Sequence, residues 1–266
     1  MPTYRPGPVA LVLGTLVALF LLMPLLAVVP VSLTPARMLS MPSGELSLRH
    51  YRTLVEDPRW LQSILLSVRI GIVSSLFSTF LALAFSLGIW MFRPRFSAAL
   101  VGFVLLPMVV PPVVSALTLY FLLTSLSGVS EAIGYDSWLG VALAHSVMTV
   151  PFAVVLLLVA LAQVDRRIDL AARGLGASVW ERATKVIIPN IRFGLMTAAL
   201  LSFVLSWEEI GVTLFITSVD AITLPRLMWM GLRDNINPAV AAISVVLILL
   251  TVAVLAARSL LMRNRT

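Results

Sequence analysis

Six long apolar stretches constrain this chain more than any other feature of its sequence. Each is long enough to cross the hydrocarbon of a bilayer, which takes about 20 helical residues. Apolar residues make up 60% of the 266 residues and charged residues only 12%, whereas soluble domains average about 25% charged residues. The stretches cover residues 8–31, 61–92, 98–126, 138–163, 193–217 and 238–257. The sequence therefore predicts an all-α membrane protein with six transmembrane helices and a single domain, residues 1–266.

The distribution of arginine and lysine predicts the orientation of these helices. With the N-terminus in the cytoplasm, 12 of the 19 basic residues lie on the cytoplasmic side and six lie outside. Basic residues are enriched in the short cytoplasmic loops of membrane proteins. Both termini are therefore predicted to be cytoplasmic. The net charge of +7 has the same explanation and requires no nucleic-acid partner.

Several kinds of chemistry are disfavoured by the residue types present. The chain has no cysteine, so it has no disulfide and no thiolate metal site. Its only lysine, Lys185, follows Thr184 rather than the glycine of a phosphate-binding loop, so this chain is not expected to bind ATP. With two histidines in the chain, a catalytic metal site is not expected, and His145 is expected to be a hydrogen-bonded core residue.

The connection between the fourth and fifth stretches, residues 164–192, is the most polar part of the chain and predicts two short helices. Gly176 suits the turn that ends the first helix. Ser178 and Glu181 form a capping-box pattern for the second, and Pro189 predicts an extended break before the fifth stretch. The first helix is predicted to be amphipathic from apolar residues at helical spacing, namely Ile168, Ala171, Ala172 and Leu175.

This loop resembles the cytoplasmic signature of the permease subunits of binding-protein-dependent ABC importers. That family carries Glu-Ala-Ala, then a glycine, then nine residues before Ile-x-Leu-Pro, and the same spacing is present here. Ala171 and Ala172 match the alanines, Gly176 matches the glycine, and residues 186–189 match the end of the pattern. The sequence departs from the family at Leu170, where glutamate is usual. The neighbouring Asp169 would point about 100° away on a helix.

The resemblance implies the type I ABC importer permease fold and a separate ATPase subunit. In the family, the short helices of this loop dock into a groove on the ATPase and transmit its closure to the membrane helices. Arg173 and Arg182 are expected to pair with the ATPase across a polar rim. The alternative is an interfacial helix that lies on lipid headgroups. The coupling residues that the resemblance assigns are Ala171, Ala172, Arg173, Gly176, Ala177, Ser178 and Pro189.

The resemblance also implies the other partners and the location. The family assembles two permease subunits, commonly two different ones, with two ATPases and an external binding protein. ATP and magnesium then belong to the ATPases, and this chain is expected to hold no cofactor and no metal. The outer loops, residues 32–60 and 218–237, are expected to receive the binding protein, and residues 47–55 to form a short interfacial helix. The location implied is the inner membrane of a bacterium.

The sequence beyond residue 60 resembles the spermidine/putrescine-type permeases in particular. Residues 202–215 are similar to the fifth helix of those permeases, and residues 223–238 are similar to their last outer loop. Gln62 and Ser63 stand where the family often has Asn-Ser. The likeness covers residues 60–257, the core of the permease. It favours a polyamine as the solute, although permeases for iron, phosphonates, thiamine and amino acid-like solutes share parts of the pattern.

Glu208 and Glu209 lie inside the fifth stretch, where each charge costs about 2.5–3.5 kcal/mol on insertion scales and usually faces the bundle interior. One hypothesis places them on a pathway for a cationic solute, together with Ser206, Trp207 and Thr213. The other makes them a structural pair bonded to another helix. On a regular helix, Glu209 shares a face with Ser206 and Thr213, which predicts that Glu209 lies nearer the pathway than Glu208.

Two other features of the apolar stretches bear on this pathway. Arg69 lies in the second stretch at a depth similar to that of the glutamates, so an ion pair with one of them is a further hypothesis. Pro107, Pro111 and Pro112 predict a bent third helix beside the pathway, because proline removes a backbone donor and kinks a helix.

Two other classes of membrane protein fit the sequence less well. A secondary transporter needs an ion-coupling site and often has two related halves, and the sequence shows neither clearly. An intramembrane enzyme needs a nucleophile with a base or a metal cluster. The adjacent Glu208 and Glu209 lack the converging partners that such chemistry requires.

Overall fold

The computed structural model describes residues 7–234 and 237–263, and the side chains of residues 7–233 and 237–253. Every regular element among these residues is helical, as the apolar composition predicts. The chain divides into two compact units, the described parts of residues 1–62 and 227–266, and residues 63–226. The single domain expected from the sequence stays a prediction.

The first unit is built on the terminal helices. It contains α1 (Pro8–Ser32), α2 (Arg49–Glu56) and α14 (Ala239–Arg263), and α14 packs against both of the others. Helix α2 is the short helix predicted near residues 47–55, and its interfacial location stays a prediction. The hydroxyls of Ser32 and Tyr51 lie 2.7 Å apart, and His50 Nε2 is 3.0 Å from the carbonyl oxygen of Ala36. These contacts hold α2 against the end of α1 and the segment that follows it.

The second unit contains most of the remaining helices. Helix α3 (Pro58–Phe92) enters it from the first unit, and α13 (Leu224–Asp234) leaves it. Two short helical turns in this unit are not α-helical. A 3-10 turn covers Glu131–Ile133, and a π-helical turn covers Arg182–Ile187. Between α3 and α13 lie α4 (Ser97–Val104), α5 (Leu106–Val109), α6 (Pro112–Ser127), α7 (Trp138–Ala162), α8 (Arg166–Gly174), α9 (Val179–Glu181), α10 (Ile188–Asn190), α11 (Arg192–Trp207) and α12 (Thr213–Ile216).

Three of the described helices, α1, α3 and α7, are long and apolar enough to cross a bilayer. A fourth crossing results if α11 is joined to the helical segment Val179–Asn190 across a bend of 77°. The third apolar stretch is divided into α4, α5 and α6, because Pro107 lies in the first turn of α5 and Pro112 begins α6. The predicted interruption of the third helix is therefore confirmed, and its place beside the pathway stays a prediction. The count of six spans and the cytoplasmic location of the termini stay predictions.

Helix α7 lies at the centre of the second unit and packs closely against α3 and α11. Small and hydroxylated residues make this close approach: the hydroxyls of Ser78 and Thr149 are 2.6 Å apart, and Gly194 lies against Ala160. In a bilayer, helices associate through such close packing and interhelical hydrogen bonds rather than through the hydrophobic effect. These contacts fix the positions of α3, α7 and α11 relative to one another, and the candidate site is built on α7 and α11.

Candidate functional site

A cavity of about 300 Å³ lies where α5, α7 and the end of α11 meet. The proline breaks of the third stretch contribute to it, because the helix is interrupted at Val110 and Pro111, and Val110 and Pro112 both face the space. Its lining is mostly apolar, with a small polar set that includes two carboxylates. The lining residues are Pro107, Met108, Val110, Pro112, His145, Met148, Thr149, Phe152, Leu205, Glu208 and Glu209.

Both glutamates lie where α11 has already ended, at Trp207. The side-chain carboxylate of Glu209 accepts a hydrogen bond from the backbone N–H of Val212 at 2.9 Å. The backbone carbonyl oxygen of Glu209 accepts one from the hydroxyl of Thr213 at 2.9 Å. Within a bilayer, backbone groups freed by a helix break must be satisfied by the protein itself, and these bonds satisfy two of them, the N–H of Val212 and the carbonyl of Glu209. Glu208 is exposed, whereas Glu209 is half-buried. The regular helix that the helical-face argument assumed does not extend this far. Both glutamates line the cavity, and which of them lies nearer the pathway stays a prediction.

His145 is a hydrogen-bonded core residue, as predicted. Its Nδ1 lies 2.9 Å from the hydroxyl of Ser206, and its Nε2 lies 2.9 Å from that of Thr213. The Thr213 hydroxyl already donates to the carbonyl of Glu209, so its oxygen accepts from Nε2–H and Nδ1 accepts from Ser206. A neutral imidazole thus joins α7 to α11 and α12 across the break.

Three residues predicted to line the pathway have packing roles instead. Ser206 and Thr213 are buried and are bonded to His145, so their hydroxyls are turned away from the cavity lining. Trp207 stacks on Phe203, with 6.2 Å between the ring centroids. Of the predicted pathway residues, only Glu208 and Glu209 line this cavity. The hydroxyls of Ser206 and Thr213 hold the broken end of α11 instead, and the place of all five residues on a pathway stays a prediction.

Arg69 lies away from the carboxylates. Its guanidinium carbon stands 3.5 Å from the centroid of the Trp138 ring, which is a close cation–π contact at the first residue of α7. In the part of the chain that the structure describes, no ion pair joins Arg69 to Glu208 or Glu209. The hypothesis of that ion pair is therefore wrong, because Trp138 offers the guanidinium an aromatic face. Arg69 does not neutralise the carboxylates of the cavity.

Asp136, which the sequence analysis did not single out, anchors the loop that follows α12. Its carboxylate accepts the backbone N–H groups of residues 218, 219, 220 and 221, at 2.7, 2.7, 3.1 and 3.1 Å. Partial burial raises the pKa of Asp136, but these four donors together outweigh it and hold the pKa below its usual value. Its partners lie more than 80 residues further along the chain, so no local signal could reveal them.

The polar loop between α7 and α11 has the predicted helix–turn–helix form. Gly176 ends the first helix with φ +84°, and the capping box of Ser178 and Glu181 is complete. The Lys185 ammonium, 3.0 Å from Glu181, and the Ser178 donors lower the pKa of Glu181 to about 2. Pro189 does not form the predicted extended break. It lies in the first turn of α10, where its missing N–H is not needed, and the chain bends at Ile191.

Asp169 and Arg182 form a buried ion pair inside this loop. Arg182 Nε and Nη2 donate to the two carboxylate oxygens of Asp169 at 2.8 and 2.7 Å. The Asp169 carboxylate raises the pKa of Arg182. The prediction that Arg182 pairs with a partner across a polar rim is therefore wrong, because its guanidinium is already bound to Asp169 within the chain.

The same loop turns apolar side chains outward. Leu170 is 61% exposed, Leu175 89% and Trp180 75%. A cluster of large exposed apolar residues marks a surface that contacts a partner or a membrane. Of the residues assigned to coupling, Ala172 and Ala177 are half-buried, and the exposed ones are Ala171, Arg173, Gly176, Ser178 and Pro189.

The features described so far are typical of a membrane permease: long apolar helices, a broken helix with two carboxylates beside a cavity, and an exposed apolar loop. The comparison with protein families then gives the family: residues 80–265 match the binding-protein-dependent transport system inner membrane component. The chain belongs to this family of ABC importer permeases, as its loop signature indicates. The family is the non-catalytic membrane component of such transporters.

Curated relatives include permeases for more than one solute. The chain is 27% identical over 252 residues to the putrescine transport system permease protein of Escherichia coli K12, covering 93% of this chain and 88% of the relative. It is 27% identical over 216 residues to the spermidine/putrescine transport system permease protein of that strain, covering 81% and 80%. It is 34% identical over 193 residues to the molybdenum transport system permease protein of that strain, covering 66% and 81%.

A solved structure has the same fold. It is a bacterial ABC transporter involved in the import of the acidic polysaccharide alginate, and it matches with a TM-score of 0.67 at 18% sequence identity. The match covers 97% of this chain and 99% of the solved chain. The ABC importer permease fold implied by the loop signature is therefore confirmed.

Proposed function

We propose that this chain forms one transmembrane half of an ATP-driven importer for a polyamine or a related small cationic amine. The observation that carries the proposal is the cavity with Glu208 and Glu209 in its lining. Two carboxylates in a largely apolar space attract a cation and oppose an anion. Arg69 is engaged by Trp138 and does not supply a counter-charge to them. The volume of about 300 Å³ is at the small end of ligand sites, which suits a small solute.

The relatives support this solute class and also supply its main alternative. The two relatives named for putrescine and for spermidine/putrescine align over most of the chain. The molybdenum relative is more similar in identity but aligns over a shorter part of it. A solute of that second kind is the alternative to a polyamine, and the carboxylates in the cavity lining favour the amine.

The two glutamates have different roles in this proposal. Glu209 holds the broken segment, because its carboxylate is bonded to the N–H of Val212. Glu208 is exposed at the same cavity and is the residue that meets the solute. Of the two hypotheses for this pair, structural support therefore applies to Glu209 and attraction of the solute applies to Glu208.

The partners follow from the family and from the exposed loop. A separate ATPase binds ATP and magnesium and docks on the surface that includes Leu170, Leu175 and Trp180. An ATPase groove with apolar walls would accept Leu170 in place of the usual glutamate. A second, different permease completes the pathway, and an external binding protein delivers the solute to the outer loops. The location proposed is a bacterial inner membrane.

The test is uptake by the complete transporter in proteoliposomes, with radiolabelled putrescine as the probe and molybdate as the second probe. Glu208→Gln is expected to lower putrescine uptake about tenfold, the effect of roughly 1.4 kcal/mol, while the complex assembles normally. Glu209→Gln is expected to lower thermal stability as well. Glu131→Gln, in the exposed turn after α6, is the matched control and should leave uptake unchanged.

Normal putrescine uptake by Glu208→Gln and Glu209→Gln in fully assembled complexes would remove both residues from the pathway. Uptake of molybdate without uptake of putrescine would establish the alternative solute. Recovery of the chain without any ATPase would contradict the assignment as half of an ATP-driven importer.

A further inference from the structure

Two polar contacts fix the first helix of the cytoplasmic loop, α8, to different parts of the second unit. At its N-terminal end, Arg166 Nη1 donates to the carbonyl of Trp90 at 3.1 Å, and its guanidinium lies 4.6 Å from the centroid of that indole. Trp90 lies in the last turn of α3. One turn further along α8, Asp169 binds Arg182, the first residue of the π-helical turn.

The Asp169–Arg182 pair is built as a rigid contact rather than a surface ion pair. Its two parallel hydrogen bonds fix distance and orientation together. The two side chains are 12% and 10% exposed, so breaking the pair would leave a charge in a poorly solvated place. The other ion pair of the loop, Lys185 with Glu181, has a lysine that is 72% exposed and is of the weak surface kind.

Arg182 is joined to α11 by a short and well-packed segment. Ile187, the last residue of the π-helical turn, and Ile191, which precedes α11, are both buried against α7. The 16 residues of α11 then run about 24 Å to the helix break at Glu208. Helix α8 is therefore connected to the cavity through one ion pair, one packed turn and one helix.

We propose that Asp169 and Arg182 are positioning residues that lock α8 to the base of α11, so that movement of the loop is transmitted to the cavity. The Arg166–Trp90 contact ties the same helix to the end of α3. The inference rests on the proposed function, since it takes the ATPase as the source of the movement. It also gives a use for the acidic residue beside Leu170: Asp169 faces inward and holds the loop together.

The absence of cysteine allows a direct measurement of this lock. Cysteines at Arg167 on α8 and Met196 on α11, both exposed, take spin labels in the full chain. With the native pair, electron–electron distance measurements should give one narrow distribution. Asp169→Asn should broaden it, and Asp169→Glu, which keeps the carboxylate, should restore it. Lys185→Gln breaks only the exposed pair and should leave the distribution narrow.

The functional readout is the amount of putrescine imported per ATP hydrolysed by the assembled transporter. Asp169→Asn and Arg182→Lys are expected to lower this ratio fivefold or more, the lower end of coupling between linked sites, while the ATPase stays bound. A narrow distribution in Asp169→Asn, or an unchanged ratio in both variants, would overturn the lock. If the native chain binds no ATPase, the proposed function fails, and the distance measurement still decides whether the lock exists.

Discussion

Asp136 shows how much structure one side chain can determine in this chain. Its carboxylate satisfies four consecutive N–H groups of the loop after α12. Hydrogen bonds to a charged acceptor contribute more than neutral ones, and a loop without them would have to order its backbone by other means. Arg226 adds a bond from its Nη2 to the carbonyl of Ser218, on the same loop. The loop expected to meet the binding protein is therefore held from within the permease.

The Asp136→Asn substitution is expected to destabilise the protein by about 1–2 kcal/mol, since an amide accepts fewer and weaker hydrogen bonds. Asparagine tolerates the positive φ of this position, +56°, so the backbone itself is not strained. The measurement is thermal unfolding of the detergent-solubilised chain at pH 7. Glu131→Gln, on the same connection, should not change the midpoint.

The same carboxylate predicts a dependence on pH. The pKa of Asp136 is lower in the folded protein than in the unfolded chain, so its contribution is fully present above the unfolded value of about 3.9. It is lost as the pH falls through the folded value. The difference in stability between the native chain and Asp136→Asn should therefore be constant from pH 5 to pH 7 and shrink below about pH 4. A difference that grows on acidification would contradict this assignment.

Single residues were predictable from the sequence where their partners are near in the chain. Ser178 and Glu181 are three residues apart, and their capping box follows from the spacing alone. Asp169 and Arg182 are 13 residues apart, and their pairing depends on how the turn at Gly176 folds the loop back. The contact of Arg69 with Trp138 could not be predicted from the sequence, because it depends on the packing of α3 against α7.

Close approach of α7 and α11 explains a glycine that helix propensity would disfavour. A Cβ at Gly194 would overlap the side chain of Ala160. Gly194→Ala is therefore expected to destabilise the protein by about 1–3 kcal/mol, the cost of overpacking, although alanine is the better helix former. Thermal unfolding in detergent measures the effect.

Gly102 in α4 provides the opposite case. No atom outside its own neighbourhood lies within 4 Å of a Cβ placed there. Gly102→Ala should therefore be neutral or stabilise by up to about 1 kcal/mol through helix propensity alone. If the two variants shift the unfolding midpoint equally, the contact between α7 and α11 is not what selects glycine at position 194.

Helix breaks were predictable only where the residue itself forbids a helix. The breaks of the third stretch are indicated in the sequence by three prolines, Pro107, Pro111 and Pro112. The end of α11 at Trp207 carries no proline, and the two glutamates that follow it are residues that a helix accepts. This break is stabilised by Glu209, Thr213 and His145, whose bonds replace those of the helix. Periodicity cannot detect a break that tertiary contacts compensate.

The molecule as a whole leaves apolar surface on the predicted cytoplasmic loop, which indicates that a partner completes it. Trp180→Ala is expected to leave the stability of the isolated chain within about 0.5 kcal/mol, because the side chain is 75% exposed. It should weaken retention of the ATPase about thirtyfold, since a buried tryptophan at an interface commonly contributes about 2 kcal/mol. The measurement is titration of the purified ATPase onto the immobilised permease.

Phe96 is the matched control for this experiment. It is equally exposed, at 75%, and it lies in the other predicted cytoplasmic connection. Phe96→Ala should bind the ATPase as the native chain does. Equal loss in both variants would indicate a general effect of surface hydrophobicity, and no loss in Trp180→Ala would place the docking surface elsewhere.

Orientation in the membrane is the property of the whole molecule that most needs a direct test, because it decides which side the ATPase can reach. Single cysteines at Val129, Leu175 and Gly7 introduce unique labels into a chain that has none. Val129 and Leu175 are 82% and 89% exposed and are separated by α7, a 25-residue apolar helix, so we expect them to lie on opposite sides of the membrane. In intact cells, a membrane-impermeant maleimide should label Val129→Cys alone. Leu175→Cys and Gly7→Cys should react only after permeabilisation, because basic loops stay in the cytoplasm. Labelling of Leu175→Cys in intact cells would show that the orientation is the reverse of the predicted one. Labelling of Gly7→Cys without Leu175→Cys would show that the number of spans before α7 differs from the predicted number.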